Sequence, residues 1–207
     1  TITITTPSEI DNIINSAEQT NIYISGNGQP GASVVVTIID SDGTPATGTA
    51  TVNAGGSWSV TIDGSGLDDG ALIVTAEETD LSGNTGSTSV LIVKDTTVGT
   101  TSVDTPIAGD NIVNSSEEGG VIFTGSGEPG STVVVDVTDG TTTVSETVTV
   151  QPDGSWSTSA LDLSGLVDTT TATVTATETD VAGNTGSGVS QTFTIDTTAP
   201  TLTITTP

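Results

Sequence analysis

Apolar side chains in this sequence occupy every second position along short runs, and clusters of Gly, Pro, Asn and Asp separate the runs. Val34, Val36 and Ile38 share one face of such a run, as do Leu72, Val74 and Ala76 of another. A period of two is what a strand shows when alternate side chains enter a core. Strands are predicted near 1–6, 20–26, 32–39, 47–53, 57–62, 71–79 and 87–94. No segment holds the 3.6-residue period of an amphipathic helix over three turns, so the expected fold class is all-β.

The same pattern then recurs in order. DNIINSAE at 11–18 returns as DNIVNSSE at 110–117, and GNGQPGASVVV at 26–36 returns as GSGEPGSTVVV at 125–135. GGSWS at 55–59 returns as DGSWS at 153–157, and ETDLSGNTGS at 78–87 as ETDVAGNTGS at 178–187. A nearly constant offset means two copies of one domain. The expected domains are residues 1–99 and 100–200, each a sandwich of about seven antiparallel strands, arranged end to end as a rod. The opening TITITTP reappears as TLTITTP at 201–207, read as the start of the first strand of a third repeat, and the chain as an excerpt from a longer one.

Charge narrows the chemistry. One Lys or Arg stands against 26 Asp and Glu, for a net charge of -25, with no His, Cys or Met. A nucleic-acid binder needs a basic stripe to displace counterions, and docking on anionic lipid needs the same. Without His or Cys there is no Ser-His-Asp triad, thiol nucleophile, zinc finger or iron–sulfur site. No run is long enough for membrane insertion, and the first residues lack the basic start of a signal peptide. What remains is carboxylate, amide and hydroxyl oxygen, the ligand set of a hard cation such as Ca²⁺. Low hydrophobicity with high charge is the usual signature of disorder, but the Val- and Ile-rich alternation among threonines is strand composition.

The tandem copies with TDxxGNT before the last strand, PG ahead of a VVV strand, GSW mid-domain and DTTAP at the boundary resemble bacterial Ig-like repeats. These are the repeats of giant calcium-dependent RTX and biofilm-type surface adhesins. The resemblance covers the whole chain. It implies a non-enzymatic extender segment that sits outside the cell on a bacterial surface, reaches it by type I secretion, is monomeric, and has neighbouring repeats of the same chain as its partners.

Sandwich topology turns the acidic positions into a geometric expectation. Loops after strands one, three and five lie at the trailing end of a domain; those after strands two, four and six lie at its leading end. The trailing end of the first copy would carry Asp11, Asn12 and Glu18, then Asp68 and Asp69, then Asp95. The leading end of the second copy would present Asp180 and Asn184, the repeats of Asp80 and Asn84. Six to eight oxygens are needed around Ca²⁺, and carboxylates from two domains and a linker can supply them. Asp110, Asn111, Glu117 and Asp196 would form the corresponding partial site of the second copy. Taken singly, each of these residues is equally a turn former or a solvated charge; their recurrence at the same ends of both copies is what favours a metal.

Other features have plainer explanations. Trp58 and Trp156, one per copy, are core residues sooner than sugar-stacking platforms. The TxT rows at 1–5 and 171–179 are wet strand faces, not a flat ice-templating array. Lys94 beside Asp95 suggests an intramolecular cross-link, yet Ile195 holds the equivalent place before Asp196. Asp68 and Asp69 lie adjacent in a Gly-rich loop with no sign of a glycosidase pocket. A module that binds a glycan or host protein directly is the competing function. The few aromatics, the lack of an Arg cluster and the near-identical loops of both copies favour a spacer.

Overall fold

A computed structural model describes residues 1–5 and 12–205 and divides the chain into two compact units, Thr1–Thr97 and Val98–Pro207. The first unit contains β1 (Thr3–Thr5), β2 (Ile13–Ile14), β3 (Ile22–Asn27), β4 (Ser33–Ile39), β5 (Pro45–Thr51), β6 (Ser57–Ile62), β7 (Gly70–Thr79) and β8 (Thr85–Lys94). Two sheets form, in the orders β1-β3-β6 and β2-β8-β7-β4-β5. All pairings within them are antiparallel except β2 with β8, where Ile13 and Ile14 run parallel to Val93 and Lys94.

The strands lie where the two-residue period placed them, and the faces alternate as expected. Val34, Val36, Ile38, Leu72, Val74 and Ala76 are fully buried between the sheets, opposite Ile22, Ile24 and Ile62. Burying one such aliphatic side chain is worth about 1.5–3 kcal/mol, so this set dominates the stability of the unit. The two-residue β2 is the exception, because it is too short to show any period. It carries the chain from the first sheet to the edge of the second, immediately after Asn12 in a left-handed conformation (φ 64°).

The second unit contains β9 (Ile112–Val113), β10 (Thr124–Ser126), β11 (Thr132–Thr138), β12 (Thr143–Thr149), β13 (Ser155–Ser157), β14 (Thr169–Thr179) and β15 (Val189–Ile195). Its larger sheet has the order β12-β11-β14-β15-β9, the counterpart of the five-stranded sheet in the first unit. The smaller sheet is β10 with β13, and the chain before it joins by backbone bonds from Ser102 N to Ser126 O and from Asp104 N to Thr124 O. Among the described residues the single helical element is a three-residue 3₁₀ turn, Ile107–Gly109. Phe123 and Phe193 meet in this core at 5.9 Å between ring centroids. Trp58 and Trp156 are both buried core members, each paired across its smaller sheet with a glycine, Gly26 or Gly125.

Candidate functional site

At the trailing end of the first unit the loop before β7 meets the chain leaving β8. Asp69 accepts hydrogen bonds from the backbone N–H of Thr96 at 3.0 Å and from its hydroxyl, and pairs with Lys94 Nζ at 3.4 Å. Lys94 is 4% exposed, and its ammonium also donates to Leu67 O at 2.6 Å. Burial alone would raise the Asp69 pKa, but the Thr96 bonds and the Lys94 charge outweigh it and hold the carboxyl below its ordinary range. Asp95 donates its N–H to Ile14 O and accepts from Thr97 N at 3.3 Å, so Asp69, Lys94, Asp95 and Thr96 stand together.

The second unit rebuilds this corner without a cation. Asp168 accepts from Thr197 N at 2.9 Å and from the hydroxyls of Thr197 and Thr198 at 2.8 and 2.6 Å. The Thr198 hydroxyl is the largest of the influences that lower its pKa. Asp196 follows the Asp95 pattern, donating to Val113 O and accepting from Thr198 N. Since Ile195 replaces the lysine here, Lys94→Ile should cost the first unit only about 1 kcal/mol: Leu67 O loses a donor, while Asp69, partly exposed and held by Thr96, is not stranded as a buried charge. Thermal melting of the variant checks this, and a loss of several kcal/mol would show that the ion pair is essential to the corner.

Asp11 lies outside the described residues. The turn after β2 is described, and it is a reciprocal cap. Asn15 Oδ1 accepts the N–H groups of Ala17 and Glu18, while Glu18 Oε2 accepts the Asn15 N–H at 3.0 Å. Asn114 and Glu117 repeat it, with Glu117 Oε2 accepting the Asn114 N–H at 3.1 Å. This is the geometry of a capping box on a single turn. Asn12 and Asn111 both hold positive φ, a conformation asparagine tolerates, and Asp110 accepts from Ile112 N at 2.9 Å.

The leading-end loops are the most alike between the units. Asp80 Oδ1 accepts the Asn84 N–H at 2.9 Å and Oδ2 accepts its amide Nδ2 at 2.8 Å; Asp180 and Asn184 make the same two bonds at 2.8 Å each. The glycine between them, Gly83 or Gly183, has φ near 90°, which explains the fixed spacing of the TDxxGN motif. The Asn84 amide, its N–H and that of Ser82 keep Asp80 below its ordinary pKa. Asp80 and Asn84 are at least partly exposed, whereas Asp180 and Asn184 are only 6% and 4% exposed.

Carboxylates that the sequence reading passed over complete the picture. Asp40 ties the β4–β5 loop to the β6–β7 loop, accepting from Thr44 N at 2.8 Å and Asp68 N at 3.1 Å, and Asp139 does the same with Thr142 N and Val167 N at 2.8 Å each. These N–H bonds, from Asp68 foremost for Asp40 and from Thr142 for Asp139, hold both carboxyls below the usual range, Asp139 well below. Glu78 and Glu178 lie on the core-facing phase of β7 and β14; Glu178 accepts the Glu128 N–H at 2.6 Å and the Thr101 hydroxyl. Their signal was present: both stand two residues beyond a buried alanine in an alternating run. Among the described residues no three acidic side chains are gathered closely enough to hold a metal.

The first unit belongs to the bacterial Ig-like domain family, since residues 3–97 match that family's model. Over 95% of its length it is similar, at 30% identity and a TM-score of 0.51, to a solved Ca²⁺-stabilized adhesin with which an Antarctic bacterium binds ice, of which it covers 49%. It is also similar over 95%, at 28% identity and a TM-score of 0.50, to part of a 1.5-MDa bacterial ice-binding adhesin, covering 64% of that structure. A third likeness, at 32% identity, 96% coverage and a TM-score of 0.45, is to a tetra-tandem repeat from the extending region of a large adhesion protein; the chain spans 50% of it. No curated protein matches the chain significantly.

Proposed function

We propose that this chain is a spacer: a segment of the extender of a large bacterial adhesin, outside the cell and on its surface, that holds a distal binding module away from that surface. The observation that carries the reading is similarity over 95% of this chain, at 30% identity, to about half of a solved Ca²⁺-stabilized adhesin, in a chain whose two copies carry near-identical end loops. A spacer needs repetition and no active site. A binding module would diversify its loops and expose aromatic or Arg anchors. In this reading the chain is monomeric, is exported by type I secretion and has the adjoining repeats as its partners.

Ca²⁺ is proposed as the stiffening agent, held by Asp11, Asn12, Glu18, Asp69 and Asp95 of one domain with Asp180 and Asn184 of the next. Asp80 and Asn84 would present the same pair to a preceding repeat, and Asp110, Asn111, Glu117 and Asp196 would meet a following one. The donor chemistry fits. A carboxylate has about four lone-pair sites, so one fixed by one or two N–H bonds, as Glu18 and Asp180 are, keeps capacity for a cation and is already oriented. The bound ion would supply charge neutralisation and a multidentate bridge in a chain of net charge -25.

The melting temperature should rise with Ca²⁺, fall in chelator and respond weakly to Mg²⁺, which resists dehydration and demands octahedral geometry. Small-angle scattering should show a longer, narrower distance distribution with Ca²⁺ than with EDTA. Identical melts and identical scattering in all three conditions would remove calcium from the account.

A further inference from the structure

The two units differ most sharply on the outer face of their five-stranded sheets. Across four strands of the first unit the register row Pro45–Ile39–Ile73–Leu91 crosses that face; the same row of the second unit reads Thr143–Thr138–Thr173–Thr192. One step toward the trailing end, Ala71, Val93 and Ile13 continue the apolar surface, while the second unit has Thr194 in the place of Val93. Ile73 is 49%, Leu91 67% and Val93 44% exposed. Threonine suffices for an outward strand position, so strand propensity does not account for the isoleucine and leucine.

We propose that this face of the first unit is a docking surface for a protein segment that presents apolar side chains flanked by Lys or Arg. The charge around the patch selects the occupant. Asp69 and Asp95 lie two residues beyond Ala71 and Val93, just past the strand ends, and the chain's one cationic side chain, Lys94, is turned inward onto Leu67 O and Asp69. A second copy of this chain therefore offers no exposed cationic side chain, and pairing two such faces would set acidic rims against each other at a net charge of -25 apiece. A partner with an apolar centre and a cationic rim instead matches both features of the patch.

The test uses the full chain and the double variant Ile73→Thr/Leu91→Thr, which installs the residues the second unit already carries at these register positions and so preserves strand character. The probes are an alternating Leu–Lys peptide and a Ser–Lys peptide of equal charge, titrated at physiological salt. The wild-type chain should bind the Leu–Lys peptide at least tenfold more tightly than the Ser–Lys peptide, and the variant should lose that preference while keeping the weak Ser–Lys binding. Equal binding of the Leu–Lys peptide by both proteins would reduce the interaction to net charge and overturn the proposal. So would sedimentation showing that the wild-type chain self-associates and the variant does not, which would assign the face to a second copy. The titrations are run in EDTA, which keeps Asp69 and Asp95 free of the calcium proposed above, so failure here leaves the spacer reading untouched.

Discussion

Gly26→Ala is expected to destabilise the first unit by about 3 kcal/mol, at the upper end of what overpacking costs. A Cβ at this position would lie 1.9 Å from Thr3 O and 2.6 and 2.8 Å from the Trp58 ring carbons Cζ2 and Cε2. A rotation of the indole relieves only the ring contacts, whereas the carbonyl belongs to β1, which is hydrogen-bonded to the strand that carries the glycine. Relief therefore requires both parting the sheet at β1 and shifting the largest side chain of the core. Gly125 is the repeat of this position, with Ser102 O at 2.0 Å and the Trp156 ring at 2.4 Å, and Gly125→Ala should damage the second unit equally. Gly66→Ala is the control: nothing lies within 4 Å of its Cβ, so the change should be neutral or stabilising by a few tenths of a kcal/mol. Calorimetric melting of the three variants decides the matter; near-wild-type stability for Gly26→Ala would mean that the strand and the indole separate far more easily than their packing indicates.

The glycines explain why the repeat motifs look as they do. In the sequence GNG closes the strand predicted over 20–26, and nothing in GNG or in its repeat GSG names what lies across from the first glycine. In the structure Gly26 and Gly125 are strand residues whose missing side chains make room for tryptophan, a relation between two segments some 30 residues apart that no local pattern encodes. The seven strands of the first unit other than β2 were legible because each turns alternate residues toward the core, and burial writes a period of two. β2 was not, since two residues cannot display a period, and its pairing with β8 is fixed by tertiary contact.

The same distinction runs through the acidic residues. Loop position and recurrence pointed to Asp69, Asp80 and Asp95 and to Asp180 and Asp196 of the second copy, though not to Asp168, and the structure locates them in turns and at strand ends. Recurrence alone does not say whether an acid faces water, a backbone N–H or an ion. Asp40 and Asp139 show the second outcome: each spends both oxygens on N–H groups of two separate loops. Their repetition was visible in the sequence, but the loop they reach lies almost 30 residues further on. Glu18 and Glu117 lie between these cases, because one oxygen caps a turn whose motif, Asn followed three residues later by Glu, was in plain view.

Glu178→Ala should be the most damaging loss of a single carboxylate, about 2–4 kcal/mol, because it removes an acceptor from two donors at once. Glu178 is 1% exposed in a chain whose one cation lies in the other unit, so its charge is compensated by the Glu128 N–H at 2.6 Å and the Thr101 hydroxyl. Truncation leaves both donors without that acceptor beside the space the side chain vacates, and hydrogen bonds to a charged acceptor are worth roughly twice those to a neutral one. Glu78 occupies the equivalent place but is 8% exposed, and Ile2, at the position corresponding to Thr101, offers it no hydroxyl; Glu78→Ala should cost less. Glu178→Gln separates charge from geometry, since the amide oxygen can still accept one of the two bonds while its NH₂ meets the other donor unfavourably. Urea denaturation should rank the variants Glu178→Ala, then Glu178→Gln, then Glu78→Ala in order of decreasing loss. If Glu178→Ala instead leaves the midpoint unchanged, or raises it, then desolvating this carboxylate costs as much as its two hydrogen bonds return.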